Sequence, residues 1–136
     1  MILTKSSEYA IKSLILIKHQ SSSINIDLIS EKLNVPKSFT AKILQTLVKK
    51  GYINSQRGPG GGFSPNDYSF KLRDLINDVD GEFNYDRCVL GLSDCSDENP
   101  CPLHDYFKQI KVKILDEFME VTIDEICENP NKVLKL

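Results

Sequence analysis

No apolar run in this 136-residue chain approaches the roughly 20 residues that a membrane-spanning helix needs. The stretch Ile11–Ile17 is interrupted by Lys12 and Ser13, and no small-residue cleavage site follows it. A secretory leader is therefore not expected, and a cytoplasmic setting is. Outside an oxidising compartment, cysteines read as metal ligands or redox thiols and not as structural disulfides. The chain has no C-x2-C pair, the spacing on which structural zinc knots usually rely. Its glycine run lacks the lysine of a phosphate-binding loop and opens no helix at Gly62. No acid–base or nucleophile arrangement accompanies the cysteines, so catalysis is not expected.

A large net charge is also missing. The total is only −2, which would argue against nucleic acid if it were evenly spread. It is not. Residues 1–66 hold nine Lys/Arg and three acids, or +6, and the remaining 70 hold eight Lys/Arg and sixteen acids, or −8. That asymmetry suits a basic docking surface joined to an acidic module.

The pattern of the basic half predicts helix, helix, helix, hairpin. Over Thr4–His19 the residues Tyr9, Ala10, Leu14 and Ile17 share a face, with Thr4 as N-cap. Asp27–Leu33 reads as a short helix closed by Asn34. Val35-Pro36 then leads into Lys37–Lys50, an amphipathic helix turning Phe39, Ile43, Leu44, Leu47 and Val48 inward. Two short helices on a tight turn, the second basic, make a helix-turn-helix. Tyr52–Arg57, the glycines from Gly58 to Gly62 and Phe63–Pro65 then form a hairpin, or wing. A flexible linker is the other reading of the glycine run, although Pro59, Tyr52, Ile53 and Phe63 favour an ordered hairpin.

In the acidic half Ser69–Val79 reads as a helix ended by Gly81. Leu103–Val121 reads as a long helix whose Leu103, Phe107, Ile110, Ile114, Phe118 and Val121 form an apolar seam. Such a seam either meets a second copy or folds back on its own domain. Thr122–Glu128 makes a last short helix in which Cys127 is a packing residue. The fold class is thus mostly α with a small β wing: a winged helix-turn-helix at 1–80, a loop at 81–104, and a long C-terminal dimerisation helix with the short helix at 102–130.

The loop carries the sharpest chemistry. Cys88, Cys95 and Cys101 are followed by His104 three residues on. Thiolates and imidazole are the soft ligands that iron–sulfur clusters and zinc prefer. Cys101 and His104 stand at the start of a helix, where residues i and i+3 face one way. Unliganded redox thiols are the competing reading.

Several motifs together carry a resemblance: Leu3-Thr4-Lys5 with Tyr9-Ala10, the wing Arg57–Phe63, the helix end Ile76–Asp80, and the three-cysteine loop. The chain resembles the IscR/NsrR family of bacterial regulators over roughly residues 1–130. The resemblance implies a homodimer with two winged heads on a double-stranded DNA operator, and an iron–sulfur cluster on Cys88, Cys95 and Cys101. His104 matches a fourth ligand implying 2Fe–2S, the favoured form. Glu8 matches an acidic ligand given by the partner subunit, implying 4Fe–4S. The first cysteine gap is one residue longer than the family pattern, and Ala41 stands where the biogenesis regulator has a glutamate. Ser38, Thr40 and Lys42 are the expected base or phosphate contacts, and Lys37 and Lys49 further phosphate contacts. Arg57 with Gly58, Gly60 and Gly61 is expected at the adjacent minor groove. Arg57→Ala is expected to weaken operator binding, and Lys135→Ala is not.

Overall fold

The chain enters its first helix, α1 (Lys5–Lys18), through Thr4, whose Oγ1 accepts the Ser7 N–H at 3.1 Å. This computed structural model describes residues 3–82, 86–129 and 134, so Lys135 and Pro130 fall outside the described residues. Asn25 caps α2 (Ile26–Leu33) by accepting the Leu28 N–H at 2.9 Å. Asn34 closes it at φ 53°, a left-handed geometry that asparagine tolerates better than most residues. Pro36 leads into α3 (Lys37–Lys49).

The wing consists of β1 (Ile53–Gln56) and β2 (Gly62–Pro65), antiparallel and registered from Ile53↔Pro65 to Gln56↔Gly62. It does not float free. Phe63 exchanges backbone bonds with Ile24 at 2.8 and 3.1 Å, which ties the hairpin to the link before α2. A Cβ on Gly62 would sit 2.6 Å from the Ile24 carbonyl oxygen, so this close approach of two backbones requires glycine.

Leu14, Ile17, Ile29, Leu44, Leu47, Tyr52 and Leu75 are buried at the centre of the head. Each such side chain stabilises the fold by about 1.5–3 kcal/mol relative to exposure. Two ties from the Ile76–Asp80 segment add polar fastening. Asp80 accepts from the hydroxyls of Thr4 and Ser7, the latter at 2.6 Å, and Asp78 accepts from Tyr52 at 2.9 Å.

The acidic half departs from the sequence reading at two helix ends. Helix α4 (Leu72–Asp80) starts three residues later than Ser69. Asp67 holds Ser69 in a turn, accepting its N–H and hydroxyl at 2.9 and 2.6 Å. The next backbone groups are taken by the C-terminal segment: Asp124 donates to Tyr68, Ile123 to Phe70, and Leu72 to Val121. Helix α5 (His104–Asp116) is shorter than Leu103–Val121, about 20 Å long. The chain tightens into a 3-10 turn, Phe118–Glu120, which drives Met119 fully inside against Leu72 and Ile76. Arg73 fastens the junction by donating to the Leu115 carbonyl at 2.8 Å and pairing with Glu120 at 2.6 Å. Helix α6 (Ile123–Cys127) then returns to the head, placing Ile123 and Cys127 in its core.

Candidate metal centre and nucleic-acid interface

Helix α3 turns Ile43, Leu44 and Leu47 into the head, and this leaves Ser38, Lys42, Gln45 and Lys49 along the opposite, exposed face. Steps of four, three and four residues keep those side chains in line. Thr40 is a correction. It is 2% exposed, and its hydroxyl donates back to the Pro36 carbonyl at 3.2 Å, so it braces the helix start and cannot reach a base edge. Its spacing to Ile43, Leu44 and Leu47 is that of the buried face, a signal the sequence already held.

Lys37 is exposed and paired with Asp27 at 2.7 Å; an exposed pair of this kind is weak and exchangeable for a phosphate. Between α3 and the wing lies a groove lined by Gln45, Lys49, Ser55, Arg57 and Phe63. Arg57 is exposed beside the turn. Gly58 and Gly60 take φ of 93° and 74°, and a Cβ on Gly61 would strike the Gln56 carbonyl. These glycines therefore shape the turn that presents Arg57. Gln45 and Ser55 were not singled out from sequence, although Gln45 sits on the same helical stripe as Lys42 and Lys49.

The loop gathers its three cysteines. Their sulfurs all lie within 4.8 Å of one another, with Cys88 and Cys101 3.7 Å apart. Local turns do this: Gly91 donates to the Cys88 carbonyl, Ser96 and Asn99 bond each other, and His104 donates to the Cys101 carbonyl. His104 points Nδ1 at the Cys95 sulfur, 3.2 Å away. Its Nε2 lies 2.8 Å from Asp97, a residue not foreseen from sequence because the loop holds several similar acids. Lys108, one turn along α5, reaches the same Asp97 oxygen at 2.7 Å. Hydrogen bonding from Lys108, then from His104, lowers the Asp97 carboxyl to about 2.

The thiols differ in their readiness to ionise. Backbone N–H groups of Leu92 and Leu90 point at Cys88 and bring it down to about 7. At Cys95 the Cys101 N–H acts in the same direction, but burial and the neighbouring sulfurs outweigh it and the net shift is upward. Three thiolates this close repel one another, and a soft cation relieves that repulsion. Three clustered sulfurs, with an imidazole nitrogen against one of them, are donors of the kind an iron–sulfur or zinc-type centre takes. Glu8 stands apart from this group in its own chain, on the first turn of α1, paired with Lys5 at 3.2 Å.

Comparison with known proteins places these features in a family context. Residues 3–129 match Rrf2, described as an iron-dependent transcriptional regulator. A protein of Aquifex aeolicus, provisionally described as an HTH-type transcriptional regulator, is 30% identical over 139 residues, covering 98% of this chain and 96% of its own. The HTH-type transcriptional regulator IscR of Pectobacterium atrosepticum is 27% identical over 133 residues, covering 95% of this chain and 80% of that protein. The solved structure of CymR (YrzC), the global cysteine regulator of B. subtilis, shares the fold with a TM-score of 0.72 at 16% identity, covering 93% of this chain and 96% of that one. Among the described residues no helix is long and apolar enough to cross a membrane.

Proposed function

Because this chain belongs to the Rrf2 family of transcriptional regulators, which are not enzymes, we propose that it binds operator DNA as a homodimer whose affinity is set by an iron–sulfur cluster on Cys88, Cys95, Cys101 and His104. The observation that carries this reading is the convergence of three sulfurs, with the His104 imidazole against that of Cys95. When bound, the cluster supplies one-electron redox chemistry and reactivity toward oxygen and nitric oxide. His104 as fourth ligand favours 2Fe–2S, and Glu8 of the partner subunit would instead favour 4Fe–4S.

The DNA-facing residues are Ser38, Lys42, Gln45 and Lys49 on α3, with Lys37 at its start and Arg57 held out by Gly58, Gly60 and Gly61. The lysines neutralise phosphates, Ser38 and Gln45 offer hydrogen bonds to base edges, and Arg57 reaches toward a narrow minor groove. Apolar residues exposed on α5, Tyr106 at 74% and Ile110 at 55%, supply the face for a second copy. The loop joins the winged head to α5, so engagement of its four ligands sets the spacing of the two heads, and half-site spacing is what a dimer reads.

The test is an anaerobic absorption spectrum with iron and sulfide counts for the wild type, His104→Ala and Glu8→Ala, followed by operator titrations with and without the cluster. A brown protein whose cluster depends on His104, and whose operator affinity changes on cluster loss, is the expected result. The 3.7 Å separation of Cys88 and Cys101 favours a second reading, a regulator that senses by disulfide formation. A colourless protein with operator binding altered by mild oxidant, and insensitive to it as Cys88→Ser, would support that reading instead.

A further inference from the structure

We propose that Asp97 is a positioning residue that fixes the tautomer of His104, making Nδ1 the atom it offers to the metal centre. This deepens the metal-centre reading above and names its supporting residue. An imidazole ring presents one bare nitrogen and one N–H, and the partner of one nitrogen decides the role of the other. Here the Nε2 partner is a carboxylate oxygen 2.8 Å away, which accepts only. Nε2 therefore carries the proton, and Nδ1 is left bare toward Cys95 at 3.2 Å.

Lys108 makes the arrangement one-sided. Its ammonium donates to the same oxygen, Oδ1 of Asp97, at 2.7 Å. His104 and Lys108 are four residues apart on α5, so Asp97 is clasped by two donors from one helix face. The clasp joins the middle of the cysteine loop to the first turn of α5. Metal-bound histidines characteristically donate their second N–H to a carboxylate, which orients the ring and raises its basicity, and loss of that partner costs roughly 10–100-fold in metal retention.

The direct test needs no metal. Nitrogen-15 histidine spectra of the reduced, metal-free, full-length protein at mildly alkaline pH are simple, because the chain has only two histidines, His19 and His104. A His19→Gln variant identifies the His104 signals. The expected wild-type result is a single Nε2–H tautomer, with Asp97→Ala giving a mixture that includes Nδ1–H. Asp97→Asn should keep the wild-type tautomer, because Lys108 holds the amide oxygen in the carboxylate's place. A wild-type Nδ1–H tautomer, or an Asp97→Ala spectrum like the wild type, overturns the proposal. In the reconstituted protein, Asp97→Ala should lose iron to a chelator roughly 10–100 times faster. A wild type that takes up neither iron nor sulfide would defeat the cluster reading, while the tautomer spectrum would still decide the role of Asp97.

Discussion

In the winged head Leu14, Ile29, Leu44, Leu47 and Leu75 are sealed from solvent, whereas α5 contributes no buried side chain and the cysteine loop before it only half-covered sulfurs. The head gains its order from apolar burial within one chain. The loop has turns, a carboxylate clasp and three clustered sulfurs with the His104 imidazole against one of them, and α5 has an apolar stripe with little of its own chain against it. One region is ordered by its own burial; in the proposed function the other would be completed by what it binds, a metal group on one side and a second copy on the other.

That contrast can be broken from either side. The largest effect is expected from Leu44→Ala, which opens a cavity where no solvent reaches: a loss of about 2–5 kcal/mol, read by urea unfolding of the metal-free protein. Cysteine reactivity sharpens the comparison within one residue type. Burial pushes Cys127 up to about 11, while N–H donors hold Cys88 near about 7. Because the thiolate is the attacking form, alkylation of Cys88 should rise with pH through about 7 and level off above it. Near neutrality Cys127 should react on the order of a hundredfold more slowly, until the head unfolds. Peptide mass spectrometry after timed alkylation separates the two.

Ile110→Glu should leave the unfolding of the head within about 0.5 kcal/mol of wild type while shifting the protein from dimer to monomer in sedimentation. A dimer unmoved by that change would place the subunit contact elsewhere. The smallest effect is expected from Tyr52→Phe, which removes the bond to Asp78 but keeps the packed ring. It should cost about 0.5–1.5 kcal/mol in the same urea measurement.

What could be read in advance follows the range of the forces involved. Thr4, Asn34 and the wing glycines act within a few residues, and the elements they delimit lie within one or two residues of the sequence reading. The start of α4 and the end of α5 were misjudged because both answer to distant chain: Phe70 and Tyr68 give their carbonyls to α6, and Met119 is drawn into the cleft between Leu72 and Ile76. At the cysteine loop the gathering of Cys88, Cys95 and Cys101, with His104 against Cys95, was legible from spacing and resemblance. The contact of Asp97 with His104 was not, because only the folded loop separates it from Asp94 and Glu98. Thr40 has the hydroxyl of a base-reading residue, but its helical phase is that of Ile43, Leu44 and Leu47, and the phase decides where it points.

The return of α6 has a consequence for synthesis. Ile123 and Cys127 fill the same core as Leu14 and Leu44, so the head is not a contiguous stretch of sequence but a vessel whose stopper is translated only after α5. While the ribosome is still making α5, the floor of that core stands open, and contacts closing over a hundred residues of chain form late. A polypeptide ending after α4 would therefore be a poor stand-in for the DNA-binding part.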